Sequence, residues 1–86
     1  GNCGLAERNL AINATPNSGG FTIGGLAQGQ GFRITGTSVI QDSPPSQVGR
    51  RWTPIRRYGV TGWISETEPG GRLGNVRRID CAAIGL

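Results

Sequence analysis

Apolar and polar residues alternate in short runs along this chain, a pattern typical of β-strands that bury one face. The clearest run is 32–35, where Phe32 and Ile34 alternate with Arg33 and Thr35. Similar runs predict strands within residues 7–15, 21–26, 51–58 and 63–65, and a last strand or short turn within 75–84. No segment has the period that would predict a helix.

Glycine and proline separate these runs. The adjacent Pro44 and Pro45 lie in segment 41–49, which we expect to connect two strands and to project into solvent. Pro54 cannot donate a ladder hydrogen bond, so the strand 51–58 is expected at a sheet edge or with a bulge. Five to seven short strands in 86 residues predict a single all-β domain, a small barrel or sandwich.

A chain of this size buries a thin core and often needs a covalent staple. No apolar stretch approaches the roughly 20 residues that a membrane span requires, so no membrane insertion is expected. No signal-peptide apolar segment is present, and because the chain begins at Gly1 rather than methionine, a removed leader is one expectation.

The cysteine content favours a disulfide between the chain ends. Cys3 and Cys81 are too far apart for a CxxC motif, and the chain has no histidine for a Cys/His metal site. A disulfide that closes so long a loop stabilises by about 4 kcal/mol in the chain-entropy model and implies periplasm, cell surface or medium. The alternative, two separate buried thiols in a cytosolic protein, fits terminal positions less well.

The net charge of +4 arises from nine arginines and no lysine, against five acids. Such a protein is attracted to anionic polymers, although ordinary surface charge explains the same total. Without histidine, a Ser-His-Asp triad is excluded. Glu66 and Glu68 are better explained as solvated loop acids than as a hydrolase pair. The composition therefore predicts no enzyme, no cofactor and no metal site.

Three segments, NLAINATPN (9–17), IGGLAQGQGFRITG (23–36) and RWTPIRRYGVTGWIS (51–65), together resemble bacterial SH3 domains. The matching positions are Leu10, Ile12, Pro16, Ile23, Gly24, Leu26, Gly29, Phe32, Ile34, Gly36, Trp52, Ile55, Gly62, Trp63 and Ile64. The resemblance covers residues 9–65 of a single domain, 1–86, and leaves 66–86 as a divergent tail that returns to the N-terminus. It implies a small SH3-like barrel.

The expected core of that barrel comprises Leu10, Ile12, Ile23, Leu26, Ile34, Ile55, Trp63 and Ile64. Gly59 to Gly62 is expected to turn, with Trp63 as the first residue of the next strand. Trp63 then fits either a core residue or a ligand platform.

The resemblance implies an extracytoplasmic, non-enzymatic module that recognises cell-wall peptide or polymer, or a protein partner. Expected ligand-binding residues are Trp52 and Tyr58, as flat aromatic contacts, and Arg51, Arg56 and Arg57, as partners for carboxylates or phosphates. The alternative is a structural subunit of a secreted assembly (filament, sheath or surface layer) that self-associates through exposed strand edges. Nucleic-acid binding is disfavoured, because the disulfide points outside the cytoplasm and no basic stripe is evident.

Overall fold

Ten antiparallel strands form the computed structural model, which describes residues 2–86 and, at Leu73, the backbone alone. The strands are β1 (Cys3–Ala6), β2 (Leu10–Asn13), β3 (Thr22–Leu26), β4 (Gly31–Ile34), β5 (Val39–Ile40), β6 (Arg51–Arg57), β7 (Val60–Ser65), β8 (Thr67–Glu68), β9 (Arg72–Gly74) and β10 (Val76–Ile79). Short 3-10 helices cover Pro45–Gln47, Pro69–Gly71 and Cys81–Ile84, and residues 2–86 contain no α-helix. The all-β prediction is confirmed.

Eight of these strands form one sheet in the order β10-β1-β4-β6-β7-β2-β3, with β5 beside β6. Strands β8 and β9 form a separate pair. The strand count exceeds the expected five to seven, partly because β5, β8 and β9 are only two or three residues long. Such short pairings have too few residues to show a period.

One cluster of buried side chains lies inside the curled sheet. It consists of Ala6, Ile12, Leu26, Phe32, Ile55 and Ile64, one each from β1, β2, β3, β4, β6 and β7. Because six strands of one sheet contribute to one cluster, the sheet must curl around it. Of the expected core residues, Leu10 and Ile34 are half-buried against this cluster.

Two expected core residues lie elsewhere. Ile23 is 47% exposed, because β3 ends the sheet and has a neighbour on one side only. The expectation that Ile23 is a core residue is therefore wrong. Trp63 is half-buried and is absent from the buried cluster.

Strand β6 lies in the middle of the sheet and pairs with β7 without a register shift, so the expectation that Pro54 marks an edge strand or a bulge is wrong. The Pro54 carbonyl accepts a hydrogen bond from Thr35 N at 2.9 Å, on the side of β4 and β5. In a strand the nitrogen of a residue points the same way as its carbonyl. The Pro54 nitrogen therefore faces the gap between Ile34, where β4 ends, and Val39, where β5 begins.

The β6–β7 hairpin turns at Tyr58 and Gly59, and not over the whole of Gly59 to Gly62. Arg57 pairs with Val60, and the two loop residues have φ angles of 47° and 79°. Positive φ at both positions is the requirement of a tight type I′ hairpin. Trp63 consequently lies inside β7, three residues after its start, and is paired with Pro54.

Gly62 permits a close approach of β2 to β7. A Cβ atom at Gly62 would lie 2.6 Å from Ile12 Cγ2 and 2.8 Å from the Asn13 carbonyl oxygen. The second of these atoms belongs to the backbone and cannot rotate away. Gly62 is therefore a packing residue inside a strand and not a turn residue.

The disulfide between Cys3 and Cys81 is present and confirms the predicted link between the chain ends. The two Cα atoms are 5.0 Å apart, and 78 positions separate the residues in sequence. Cys3 is fully buried on β1, and Cys81 begins the last 3-10 helix. We refer to that helix, Cys81–Ile84, as the C-terminal turn.

Three ion pairs occur among the described residues: Arg50–Glu68, Arg77–Glu7 and Arg78–Glu66. The best-formed joins Glu66 to Arg78, whose Nε and Nη2 donate to the two carboxylate oxygens at 3.0 and 2.9 Å. The Thr53 hydroxyl adds a third hydrogen bond at 2.6 Å. The Arg78 hydrogen bond and, more weakly, that from Thr53 outweigh the effect of burial and lower the pKa of Glu66.

Glu66 is expected to make folding stability depend on pH in the acid range. Because its folded pKa is lowered from 4.5, its contribution is present above about pH 4.5 and is lost as the pH falls through the folded pKa. Urea denaturation between pH 6 and 3 should show Glu66→Gln less stable at pH 6, by about 1 kcal/mol, with convergence toward the wild type at pH 3. Glu7→Gln, in a longer and more exposed pair, is the control. A constant difference across this range would contradict the assignment.

Candidate functional site

The pairing of β4 with β6 brings two arginines directly opposite each other. Arg33 is the Cα partner of Arg56 in this ladder. Like charges at directly opposite positions are destabilising. All ion pairs among the described residues involve other arginines, so no acidic side chain is paired with Arg33 or Arg56.

A third arginine, the last residue of β6, reaches the same region. The Arg57 guanidinium lies over the Tyr58 ring, with its Cζ 4.3 Å from the ring centroid. Arg57 Nη1 also donates to the carbonyl oxygen of Gly31, at the start of β4. These two contacts fix the guanidinium near the Arg33–Arg56 pair.

The C-terminal turn forms a wall beside these arginines. Cys3, which bonds covalently to Cys81, is the Cα partner of Arg33 across β1 and β4. Ile84 packs directly over Gly31, where an added Cβ would lie 2.5 Å from Ile84 Cδ1 and 3.1 Å from Ile84 Cβ. The disulfide and the absence of a side chain at Gly31 together hold the turn against the sheet.

Residues of β4, of β6 and its hairpin turn, and of the C-terminal turn line a cavity of about 500 Å³ that is open to solvent. Its lining includes Phe32, Arg33, Arg56, Arg57, Tyr58 and Ile84, and no acidic residue is part of it. We call it the arginine cavity. Its volume falls within the range of about 300–1,000 Å³ that is typical of small-molecule sites. The combination of three cations with apolar side chains suits an anion joined to an apolar group.

Tyr58 is held in an unfavourable conformation at the mouth of this cavity. It has a φ of 47°, while its side chain is 86% exposed and gains little from burial. A bulky residue in the left-handed region costs roughly 1 kcal/mol, whereas asparagine adopts it more readily. The position is therefore not optimised for stability, as is common for residues that serve a ligand.

Tyr58→Asn is expected to raise the free energy of unfolding by about 0.5–1 kcal/mol, because asparagine suits a type I′ turn. Loss of the contact with the Arg57 guanidinium offsets a part of this gain. Urea denaturation measures the difference, and Tyr58→Phe, which keeps the ring and the backbone strain, should match the wild type. A destabilised Tyr58→Asn variant would show that the tyrosine ring holds the hairpin together.

The structure brings together three of the five expected ligand-binding residues: Arg56, Arg57 and Tyr58. Arg51 lies at the other end of β6, about 17 Å from Arg56 at the usual rise per residue of a strand. Trp52 is only 4% exposed and donates its indole N–H to Gln41 Oε1 at 2.8 Å. The expectation of a flat, exposed contact at Trp52 is therefore wrong, because this ring is packed and hydrogen-bonded inside the protein.

Arg33 also lines the cavity, although it is not among the ligand-binding residues expected from the sequence. The alternation of Phe32 and Ile34 with Arg33 places Arg33 on the outer face of a strand, which is an ordinary position for a charge. Its significance depends on the strand beside it. Only the pairing of β4 with β6 places it against Arg56, which lies more than twenty positions later in the sequence.

A second cavity, of about 250 Å³, is lined by Arg8, Arg50, Trp52, Glu68 and Asn75, among others. Its charged side chains are largely paired with other residues of its own lining. Arg50 Nη1 donates to Glu68 Oε2 at 3.0 Å and to Ser65 Oγ at 2.9 Å. A hydrogen bond from Asn75 and, more weakly, the Arg50 charge lower the pKa of Glu68. This cavity is smaller and offers a ligand less unpaired charge than the arginine cavity.

Within residues 2–86, no group of three or more His, Cys, Asp and Glu side chains is placed to hold a metal ion. The same residues include no helix that is long and apolar enough to cross a membrane. No protein-family model matches the chain, and no match was found among curated proteins or solved structures. The inference of function therefore depends on the site itself.

Proposed function

We propose that this protein is a non-enzymatic binding module that acts outside the cytoplasm. It binds acidic groups of a cell-wall peptide or polymer, or of a protein partner, in the arginine cavity. The observation that carries the proposal is the cross-strand pair of Arg33 and Arg56, which Arg57 joins in a cavity that no acidic side chain lines. A bound anion would remove this repulsion, so the free energy stored in the unliganded site favours binding.

The disulfide supports the extracytoplasmic part of the proposal. Disulfides such as Cys3–Cys81 form and persist in oxidising compartments and are rare in the cytosol. Here the bond also anchors one wall of the proposed site. A reducing environment would therefore weaken both the fold and the cavity.

Membership of the bacterial SH3 family remains a part of the proposal, supported by the matched residues within 9–65 and by the curled all-β sheet. The arginine cavity is not confined to the matched segments. Ile84 belongs to the divergent tail 66–86, and it lines the cavity. In this proposal the tail completes the binding site of the module.

Retention on purified cell-wall sacculi tests the proposal. The oxidised protein, Arg56→Ala, Tyr58→Ala and Arg51→Ala would be compared at low and moderate salt. Arg51→Ala is the matched control, because it removes the same charge from the other end of the same strand. We expect wild-type retention to persist at moderate salt, to fall at least about fivefold with Arg56→Ala or Tyr58→Ala, and to change little with Arg51→Ala.

The contrary result is retention that falls equally with Arg56→Ala and Arg51→Ala and is abolished by moderate salt. That result would show that the protein is held by nonspecific attraction between charges. Long-range attraction between exposed charges is screened under these conditions, whereas contacts inside a cavity are screened less. A complete lack of retention would remove the cell wall as the partner and leave an acidic protein partner.

A second candidate function, subunit of a secreted assembly, is favoured by the edge strand β3. Phe21, just before β3, is 87% exposed, and Ile23 within it is 47% exposed. No charged residue lies between Arg8 and Arg33, so β3 lacks the charges that protect most edge strands from pairing with another copy. Sedimentation velocity over a range of concentrations tests this: assembly that Ile23→Lys abolishes would support it, and a monomer at all concentrations would eliminate it.

A further inference from the structure

The three guanidinium groups of the arginine cavity hold more positive charge than one carboxylate neutralises. Arg33, Arg56 and Arg57 line the cavity, and no acidic side chain does. A bound carboxylate carries one negative charge and leaves much of the repulsion between Arg33 and Arg56 in place. A phosphate monoester carries about −1.5 to −2 at pH 7 and neutralises more of it.

The number of arginines also suits a tetrahedral group. Arg33 and Arg56 stand side by side on neighbouring strands. Arg57 follows Arg56 in sequence, so its side chain leaves β6 on the other face and reaches the cavity at the hairpin end. Three guanidinium groups around one cavity can donate to three phosphate oxygens, whereas a carboxylate offers two oxygens in one plane.

The remaining lining is apolar, which distinguishes an organic phosphate from the inorganic ion. Ile84 is held against Gly31 on one wall, and the Tyr58 ring is largely exposed at the turn. Both side chains lose contact with water only when a ligand extends beyond its anionic group. An apolar or aromatic group next to the phosphate would cover them.

We infer that the arginine cavity binds an organic phosphate monoester, with the phosphate among Arg33, Arg56 and Arg57 and an apolar group against Tyr58 and Ile84. This inference rests on the proposed function, since it names the chemical class of ligand for the same site. The ligand includes free phosphorylated small molecules and phosphate monoester groups displayed on a polymer, which share this chemistry.

Isothermal titration calorimetry of the oxidised protein with three probes tests the inference. The probes are phenyl phosphate, benzoate, which has the ring and a carboxylate, and methyl phosphate, which has the phosphate and little apolar surface. At pH 7.5 we expect phenyl phosphate to bind at least about tenfold more tightly than benzoate and several-fold more tightly than methyl phosphate.

The pH dependence provides an independent criterion. The second ionisation of a phosphate monoester has a pKa of about 6, so lowering the pH from 7.5 to 5 should weaken phenyl phosphate binding several-fold. Benzoate remains ionised over this range, and its affinity should stay constant. Arg33→Gln should weaken phenyl phosphate binding at least about tenfold. Arg72→Gln, an exposed arginine outside the cavity, should leave it unchanged.

The alternative outcomes separate this inference from the proposed function. Equal affinity for benzoate and phenyl phosphate, lost in both cases with Arg33→Gln, would overturn the phosphate assignment and leave an anion-binding module. Binding of free phenyl phosphate, together with sacculus retention that dephosphorylation leaves unchanged, would show that the phosphate ligand is a free molecule and that other acidic groups hold the polymer. No binding of any probe, or binding indifferent to Arg33→Gln, would overturn both the inference and the cavity as the functional site.

Discussion

Replacing Cys3 and Cys81 together by alanine is expected to lower the free energy of unfolding by about 4 kcal/mol, because the disulfide closes almost the whole chain into one loop. A single small domain has a total stability of roughly 5–15 kcal/mol, so this loss brings the protein close to unfolding. Urea denaturation of the double variant measures the loss. Reduction of the wild type, which leaves both side chains in place, is the control for lost packing at the buried Cys3.

The same change is expected to impair the arginine cavity before the sheet unfolds. Without the disulfide, the C-terminal turn keeps the packing of Ile84 over Gly31 but loses its covalent link to β1. Gly31→Ala tests separately whether the packing of Ile84 maintains the cavity, because its methyl group would displace Ile84 while the disulfide remains. A loss of stability below about 1 kcal/mol on disulfide removal would contradict this account and would show that packing alone fixes the turn.

Arg56→Glu is expected to weaken ligand binding strongly while it raises the free energy of unfolding. The substitution places a carboxylate directly opposite Arg33 and converts a repulsive cross-strand pair into an attractive one. Opposite charges at such positions contribute about 0.2–1 kcal/mol, and removal of the repulsion adds a similar amount. Binding of an anion should weaken more than tenfold, because one positive contact is lost and a negative charge enters the site.

Arg51→Glu is the matched control for this variant, because it makes the same change in net charge at the other end of β6. Urea denaturation and calorimetry on both variants separate the two effects. A less stable Arg56→Glu variant would show that the Arg33–Arg56 pair is not repulsive in the folded protein. Binding that Arg51→Glu weakens as strongly as Arg56→Glu would indicate that total charge, and not the cavity, attracts the ligand.

The strands could be predicted from the sequence because alternation is a local property. The polar residues that alternate with Phe32 and Ile34 indicate a half-buried strand without any knowledge of its neighbours. The chain-end disulfide was also predictable, since the composition leaves few other uses for two distant cysteines. Neither inference required the order of strands in the sheet.

The wrong predictions concern residues whose position depends on which strands pair. Pro54 suggests an edge strand from its chemistry alone, yet it lies in a central strand at the point where the neighbouring strand changes. Gly62 resembles a turn residue in sequence, although its role is to allow β2 to approach. Trp52 is flanked by polar residues that suggest exposure, whereas Gln41, eleven positions earlier, hydrogen-bonds its indole in the interior.

Only a part of the candidate site could be predicted from the sequence, because the rest depends on which strands pair. Arg56, Arg57 and Tyr58 are adjacent in sequence and therefore stand out as a basic and aromatic cluster. Arg33 and Ile84 come from distant segments, and only the sheet order and the disulfide bring them to the cavity. The tail after residue 65, which shows no resemblance to a known pattern, supplies a wall of the site.

The most direct test of the central claim, that the arginine cavity binds an anion, is an NMR titration of the oxidised, uniformly 15N-labelled protein with phenyl phosphate. We expect saturable shifts in the backbone amides of residues 29–33, 56–58, 84 and 86, which line the cavity, and small shifts around Arg51 at the far end of β6. Shifts spread evenly over all arginine-bearing segments, or no saturation, would contradict this claim.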